Sequence, residues 1–400
     1  MRLIDYWLGI PLCLLLDGIN RVIRMMPFRQ KEKIPAKALF IKLSEMGAII
    51  LSYSLIKEVK KEYPESEVFF LTFSKNRPLV EALDIIKPQN ILTITEDSLW
   101  GFIRDACRVI WRMRKEKIGM VFDLELFSRF TAILTYLSGA AKRIGFYRYH
   151  FEGLYRGNLL THNVQYNPLI HTSKLLLSLA QVMKLPAKST PELEKRIEDA
   201  DILTPEFIPP EEELQHIRQR LGSLGVSEGA RLFLTNPGDG VIPSREWPLD
   251  NFVALSKMLL EDDNNYVIIV GTGGVMKKAQ ALCQLVGNKR CLDLTNQTSL
   301  AEVLSLFHIA EALIVNDCGL AHIASLAPVK KFVIFGPESP QLYAPLGENV
   351  WILYSKFPCS PCLSTFNQRK SACRDSRCLQ AISPDEVYHL IKEHLKWEKR

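Results

Sequence analysis

The chain has 400 residues, of which 47% are hydrophobic and 24% are charged, and its formal net charge at pH 7 is +6. This length exceeds one typical hydrophobic core and favours two domains, and the composition excludes a disordered or fibrous chain. Because there is no long block of Lys and Arg interleaved with aromatic residues, the charge argues against nucleic acid and favours an anionic membrane surface or a nucleotide diphosphate.

The first predicted element is an apolar segment at residues 6–16, bounded by Asp5 and Asp17. It is too short to span a bilayer. Beyond Arg2 it lacks the basic region that precedes the apolar part of a signal peptide, and it has no small-residue cleavage site. Aromatic residues at its start and basic residues after it are typical of a helix in the membrane interface. The basic residues are Arg21, Arg24, Arg29, Lys31 and Lys33. We predict that residues 1–34 form an amphipathic membrane-interface segment; a helix packed on the protein's own surface, or an oligomer contact, is the alternative.

Strands and helices alternate over the first half of the chain, which predicts a parallel sheet. Short apolar runs predict buried strands at residues 38–43, 68–72, 89–93, 119–124 and 142–145. Helical periodicity is found at residues 49–63, 78–83, 102–115, 130–137 and 171–183. Residues 147–168 are rich in Gly, Tyr, Arg and Asn and are predicted to form an ordered loop.

A charged, proline-containing stretch near residues 186–210 marks the boundary to a second alternating series. That series has a helix at 211–221 and strands near 231–235, 266–270, 291–293, 311–315, 331–335 and 350–353. The predicted organisation after the membrane segment is a domain at 35–190, a linker at 191–210, a domain at 211–383 and a helix at 384–400.

Residues 313–326 combine a buried strand, a tight turn and a small-residue helix. Open parallel sheets bind ligands where a strand ends and a helix begins, and the free N–H groups of Gly319 and its neighbours favour an anion such as a diphosphate. Asp317 lies in the turn, and His322 lies one helical turn after Gly319. An ordinary turn with Asp317 as a cap and His322 as a polar core residue is the alternative.

Other motifs surround this turn in a characteristic order. They are K-L-S-E-M-G at 42–47, T-N-P-G-D-G at 235–240, S-R-E-W-P-L-D-N-F at 244–252 and F-V-I-F-G-P-E-S-P at 332–340. From about residue 37 to its end, the chain resembles glycosyltransferase family 9, the heptosyltransferase family. The resemblance implies an α/β fold of GT-B architecture, with two Rossmann-like parallel-sheet domains facing a central cleft. The nucleotide sugar would lie mainly on the second domain and the acceptor mainly on the first.

The resemblance also implies roles for individual residues. Arg245 would contact the donor phosphates and stabilise charge on the departing diphosphate. Cys318 stands where the family has a Thr or Ser hydroxyl, and a thiol is a weaker donor. The acidic residue that follows the family's glycine turn is not evident at Val275–Lys277, which leaves the nucleobase open. The implied donor-binding set is Asn236, Gly238, Arg245, Gly271, Gly273, Asp317, Cys318, Gly319 and His322.

The chain departs from the family at Ala48, where the K-x-S-x-M-G-D motif ends in the Asp proposed as general base. Glu45, three residues earlier on the acceptor-side turn with Ser44 and Gly47, can supply a carboxylate instead. A solvated turn residue or a helix cap is the alternative role for Glu45. Other candidates for the base are Asp123, Glu125 and His150.

Four of the nine cysteines cluster near the end of the chain as Cys359, Cys362, Cys373 and Cys378. Four thiolates this close in sequence can enclose a structural Zn²⁺, which we predict; two disulfides or four free thiols are the alternatives. The other cysteines are scattered through apolar or helical stretches, which is typical of a reducing compartment.

The sequence as a whole therefore predicts an inverting glycosyltransferase at the cytoplasmic face of the cell membrane. Its donor would be a nucleotide diphosphate sugar, with ADP-heptose as a candidate, and its acceptor the lipopolysaccharide core or another glycolipid. No metal would be needed for catalysis. The alternative, favoured by Ala48, is a non-catalytic protein of the same fold that binds a sugar nucleotide or glycolipid.

Overall fold

The chain folds into two compact units, Met1–Leu203 and Thr204–Arg400. The division falls inside the stretch predicted as the linker. The computed structural model describes residues 5, 7–25, 36–126, 128–147, 155–187, 193, 195–238, 242–365, 367 and 369–395.

The first unit is built on a six-stranded parallel sheet. Its strands are β1 Lys37–Ile41, β2 Glu67–Phe73, β3 Ile91–Ile94, β4 Met120–Asp123, β5 Lys142–Tyr147 and β6 His162–Gln165, in the order β3-β2-β1-β4-β5-β6. In register, Leu39 of β1 pairs with Phe69 on one side and Val121 on the other. Every residue of β1 after Lys37 is fully buried, as expected for a central strand covered on both faces.

Seven helices accompany this sheet in the described part of the first unit. They are α1 Gly9–Met25, α2 Met46–Leu51, α3 Tyr53–Glu62, α4 Arg77–Ala82, α5 Leu99–Lys115, α6 Arg129–Leu137 and α7 Thr172–Ser178. Serines at positions 98 and 128 begin α5 and α6, because each side chain accepts the N–H of the residue three further on.

The second unit repeats the arrangement. Its strands are β7 Arg231–Asn236, β8 Asn265–Ile269, β9 Cys291–Asp293, β10 Ala312–Asn316, β11 Lys330–Phe335 and β12 Val350–Tyr354, in the order β12-β11-β10-β7-β8-β9 and all parallel. Its helices are α8 Glu211–Ser223, α9 Leu249–Leu259, α10 Met276–Val286, α11 Leu300–Ile309, α12 Gly319–Ile323, α13 Pro340–Tyr343, α14 Arg377–Gln380 and α15 Pro384–Leu395. Val387 and Ile391 of α15 are fully buried in the core of this unit with Trp247, so α15 is part of the second unit.

Both sheets have the same strand order when their strands are numbered separately along the chain, namely 3-2-1-4-5-6. The first and fourth strands are then neighbours, and the chain leaves them towards opposite sides. This switch point opens a crevice at the carboxyl ends of the two strands, where open α/β sheets bind ligands. The crevice lies between β1 and β4 in the first unit and between β7 and β10 in the second.

The predicted two-sheet α/β architecture is confirmed, with two local differences. The loop prediction for residues 147–168 was wrong at β6, an edge strand that pairs with β5 and whose sequence H-N-V-Q has a single apolar residue. The helix predicted at 49–63 is divided into α2 and α3 at Ser52, whose hydroxyl donates to the carbonyl of Ile49 at 2.7 Å.

The described part of the chain has no helix that is both long and apolar enough to cross a membrane.

Candidate active site

Two buried asparagines end the central strands of the second sheet. Asn236 ends β7, and its Oδ1 accepts the N–H of Gly238 at 2.9 Å. Asn316 ends β10, and its Oδ1 accepts the N–H of Trp247 at 2.9 Å. Trp247 is itself buried and donates its indole N–H to the carbonyl of Ile382 at 2.9 Å. These bonds fix the two turns that border the crevice.

Arg245 lies against two carboxylates at this crevice. Its Nη1 is 3.5 Å from Oδ2 of Asp317 and 3.6 Å from Oε1 of Glu338. Arg369 shares Glu338, with Nε 3.0 Å from the same oxygen, and its guanidinium lies over the ring of Tyr343. Glu338 is only 1% exposed, so its charge depends on these two arginines. The cluster places two guanidinium groups, the side chains best suited to bidentate phosphate binding, at the ends of β10 and β11.

The predicted glycine positions meet beside Asn236. A Cβ on Gly271 would lie 2.7 Å from Nδ2 of Asn236, which is closer than real Cβ atoms come. A Cβ on Gly238 would lie 3.0 Å from a methyl group of Val275. Gly273 begins the 3-10 turn that contains Val275. The close approach explains why glycines occupy positions 238 and 271, whereas a Cβ on Gly273 would make only an ordinary contact, 3.5 Å from Asn296. The predicted turn residues at 239–240 lie outside the described residues.

The segment after β10 has the strand–turn–helix form that the sequence predicts. The N–H of Asp317 bonds to the carbonyl of Ile334 at 3.0 Å, and Cys318 continues in an extended conformation to Gly319, the first residue of α12. His322 is buried within this helix. Because α12 has five residues, its dipole is small, and the arginines are the larger source of positive charge.

In the first unit, Lys42 connects the acceptor-side turn to the end of β4. Its Nζ donates to Glu45 at 2.9 Å and to Glu125 at 3.0 Å. The second oxygen of Glu125 accepts the N–H groups of Leu43 and Ser44 at 2.9 and 3.1 Å. Burial alone lowers the pKa of Lys42, but the two carboxylates outweigh it and raise the pKa above its usual value. Lys42 is therefore a fixed cation.

Of the carboxylates considered for the base, Glu45 is the one open to solvent, with its side chain 40% exposed. It has left-handed backbone angles, φ 64° and ψ 83°, and does not cap α2 with its side chain. Glu125 is 13% exposed, and its carboxylate already accepts the backbone N–H groups of the turn. Asp123 is fully buried and ion-paired with Arg156, so it is inaccessible to an acceptor. Residue 150 lies outside the described part.

Comparison with known proteins identifies the family of this chain. Residues 128–372 match the family model described as glycosyltransferase family 9 (heptosyltransferase). The chain belongs to glycosyltransferase family 9.

Individual relatives of family 9 align over most of the chain. It is 24% identical over 336 residues to lipooligosaccharide heptosyltransferase 2 of Haemophilus ducreyi, covering 79% of this chain and 88% of that protein. The solved structure of Escherichia coli ADP-heptose LPS heptosyltransferase II aligns with a TM-score of 0.69 at 19% identity, covering 90% and 98% of the two chains. A family 9 glycosyltransferase of Veillonella parvula aligns with a TM-score of 0.71 at 16% identity, covering 90% and 97%.

As a member of family 9, the chain is an enzyme that transfers a sugar. The comparisons do not favour the non-catalytic alternative. The resemblance inferred from the motifs is confirmed, and so is the GT-B type of fold, because the structures of a heptosyltransferase and of a family 9 glycosyltransferase each align over 90% of the chain.

The four clustered cysteines are not arranged as a metal site in the described part of the chain. All nine are free thiols, so the predicted alternative of two disulfides is not formed. No group of three or more His, Cys, Asp or Glu in the described part of the chain is arranged to hold a metal ion. Cys373 contacts Asp375 at 3.5 Å, whereas Cys378 is buried in the core, where burial and then the neighbouring thiols of Cys362, Cys359 and Cys373 raise its pKa to about 11. Their geometry does not fit a zinc site, and the Zn²⁺ stays a prediction for metal analysis of the purified protein.

Two residues of the donor-side cluster were missed from the sequence. Glu338 follows the F-G-P motif directly, and a carboxylate at the end of a buried strand could have been noticed there. Arg369 lies in a loop far along the chain without a local pattern, so only the fold brings it to Glu338.

Proposed function

We propose that this glycosyltransferase moves a heptose from ADP-heptose to the lipopolysaccharide core or a related glycolipid, with inversion at the transferred carbon. The observation that carries the proposal is Arg245 between Asp317 and Glu338 at the switch point of the second sheet. The named activities of the family 9 relatives support the sugar and the acceptor.

The donor diphosphate would bind to the guanidinium groups of Arg245 and Arg369. When the bond from the sugar to the diphosphate breaks, negative charge grows on the leaving oxygen, and fixed cations stabilise it. Glycines 238 and 271 would let backbone approach the nucleotide closely. This step would require no metal ion, because the two positive charges come from the arginine side chains.

Glu45 would act as the general base. In an inverting transfer, one carboxylate accepts the proton of the acceptor hydroxyl. At the same time the hydroxyl oxygen of the acceptor bonds to the sugar carbon, and the bond from that carbon to the diphosphate breaks. Lys42 orients the Glu45 carboxylate by their 2.9 Å contact. The side chain is the exposed carboxylate of the turn, which favours it over Asp123 and Glu125.

The enzyme would work as a peripheral protein on the inner face of the cell membrane, attached through α1. This helix is oriented with its polar side inwards: Asp17 and Asn20 are buried, and Asn20 donates to the carbonyl of Asn158 at 2.8 Å. Its opposite side exposes Leu12, Leu14, Leu15, Ile19, Val22 and Ile23. Such an outward apolar side suits the lipid interface. Arg29, Lys31 and Lys33 of the predicted basic trail lie outside the described residues.

A transfer assay tests the proposed reaction. The purified protein is incubated with ADP-heptose, or with ADP-, UDP- and GDP-hexoses, and with heptose-deficient lipopolysaccharide, and the glycolipid is analysed by mass spectrometry. We expect a mass gain of one heptose with ADP-heptose and loss of that product in Arg245→Gln. Transfer of a hexose would replace the proposed sugar. Nucleotide binding without transfer from any donor would contradict catalysis.

A further inference from the structure

Helix α5 exposes four large apolar residues. Leu99, Trp100, Ile103 and Trp111 are 58, 82, 44 and 59% exposed. Trp100, Ile103 and Trp111 lie three, then eight residues apart and therefore on one side of the helix. Two largely exposed tryptophans on one helix side are uncommon on a surface that contacts only water, and such patches mark interaction sites.

The same side of α5 is basic. Its exposed charged residues are Arg104, Arg108, Arg114 and Lys115. The one acidic residue of the helix, Asp105, is buried and is 3.1 Å from both Arg104 and Arg108. Lys115 lies 4.8 Å from the centre of the Trp111 ring. An apolar surface with tryptophans and surrounding cations is complementary to a bilayer with anionic headgroups.

Helix α6 connects this surface to α1. The rings of Phe102 on α5 and Phe130 on α6 are 4.8 Å apart, and Arg114 donates to the carbonyl of Leu137 at 2.6 Å. On the other side, Cys13 of α1 packs on Ala132 of α6. Both helices thus belong to one layer of the first unit, and each exposes large apolar residues on its outer side.

We propose that α5 is a second lipid-binding element, which binds anionic membranes together with α1. The inference rests on the proposed membrane attachment of α1 and extends it. Tryptophans 100 and 111 lie at headgroup depth, and the arginines contact lipid phosphates. Because α5 follows β3, its amino end lies at the carboxyl edge of the first sheet, where the turn with Lys42 and Glu45 also lies. Binding by α5 therefore brings the acceptor-side turn close to the membrane that carries a glycolipid.

Co-sedimentation of the full-length protein with vesicles tests the inference. The vesicles are phosphatidylethanolamine with phosphatidylglycerol, and pure phosphatidylcholine serves as the neutral comparison. We expect the double variant Trp100→Gln/Trp111→Gln to bind anionic vesicles about tenfold more weakly than the parent, since two interfacial anchors are lost. The control, Leu169→Gln, removes a side chain that is 74% exposed on another segment and should bind normally. A thermal shift with ADP confirms that each variant is folded.

The outcomes separate this inference from the proposed attachment of α1. If Leu15→Gln/Ile19→Gln weakens binding and Trp100→Gln/Trp111→Gln does not, α1 attaches the protein and the role of α5 is overturned. If the parent binds neither vesicle, both ideas fail. If the tryptophan variant binds vesicles normally but changes from an oligomer to a smaller species in light scattering, the surface is a contact between copies of the chain, which also overturns the inference.

Discussion

The Glu45 side chain is exposed to solvent and is ion-paired with a buried lysine. Lys42, only 2% exposed, holds the carboxylate by an ion pair, and Glu125 shares the same ammonium group. The left-handed backbone of Glu45 turns its side chain away from the cap position of α2. A neutral replacement at residue 45 leaves Lys42 paired with Glu125, so the turn should persist without it.

We predict that Glu45→Gln lowers kcat by roughly 10²–10⁴ with unchanged ADP affinity, because the proton acceptor is lost and the donor site is not. Steady-state kinetics and calorimetry measure the two quantities. In the same background, Ala48→Asp restores the carboxylate of the family motif and should recover part of the rate. Near-normal turnover by Glu45→Gln would remove this residue from the mechanism.

Glu338 neutralises two arginines that we propose as ligands of the diphosphate. We predict that Glu338→Gln has opposite effects on stability and binding. The free protein should lose about 1–3 kcal/mol of unfolding free energy, because two half-buried guanidinium groups lose a counter-charge. The ADP affinity should rise, since the diphosphate no longer competes with this carboxylate. Urea unfolding and calorimetry test both effects, with the exposed Glu348→Gln as control; weaker ADP binding would show that Glu338 positions the arginines for the ligand.

Lys331 of β11 is a buried lysine that contacts backbone carbonyls. It is 2% exposed, and its Nζ donates to the carbonyl of Val329 at 3.1 Å. Burial lowers its pKa from 10.5 to about 8. Between these two values the unfolded chain binds more protons than the folded one, so this residue makes stability rise with pH; below about 8 both states are protonated and the contribution is constant.

We predict that the unfolding free energy attributable to Lys331 rises by roughly 2–3 kcal/mol from pH 8 to pH 10.5. The difference between the parent and Lys331→Met, measured by urea unfolding across this range, isolates the contribution. Lys330→Met on the same strand is the matched control and should leave the pH slope intact. A slope that is equal in the parent and Lys331→Met would contradict the depressed pKa.

At the scale of elements, short helices are tied to strand ends by close contacts. Gly336 follows β11 in the F-G-P motif, and a Cβ there would lie 2.5 Å from Cγ of Leu379 on α14. Leu379 is fully buried in the core of the second unit. The glycine of the motif is therefore required by the packing of α14 against the strand end.

We predict that Gly336→Ala costs about 1–3 kcal/mol, because Leu379 must move within a packed core. Gly222→Ala in α8 is the opposite case. Its Cβ would meet no atom within 4 Å, and alanine favours a helix, so stability should rise by up to about 1 kcal/mol. Thermal unfolding of the two variants should shift Tm in opposite directions; equal shifts would show that the contact with Leu379 is easily relieved.

At the scale of the whole molecule, the donor-side residues all belong to the second unit and the acceptor-side turn to the first. We predict that ADP protects the segments after β7, β10 and β11 from hydrogen exchange in the full-length protein and leaves residues 42–47 unchanged. Arg245→Gln should reduce this protection, and Glu45→Gln should not. Protection confined to the first unit would place the nucleotide elsewhere and contradict the donor site.

The sequence by itself determined the fold class and most of the turn residues. Apolar runs at strand spacing predicted strands of both sheets, because a parallel strand buried on both faces must be continuously apolar. The motifs around Asp317 and Arg245 identified the family, since their chemistry is carried by residues close together in the chain. β6 escaped detection because a short edge strand with polar residues lacks that periodicity.

Only the tertiary structure decided which charged side chains form ion pairs. Arg369 reaches Glu338, and Lys42 reaches Glu125, through contacts between segments distant in sequence, and no local pattern encodes such a meeting. Burial likewise removed Asp123 from the candidates for the base and left Glu45 exposed. The outward apolar sides of α1 and α5 also became visible only in the folded unit, where α6 covers the opposite side of α1 and the first sheet covers the opposite side of α5. Periodicity shows that a helix has two sides but not which side the protein covers.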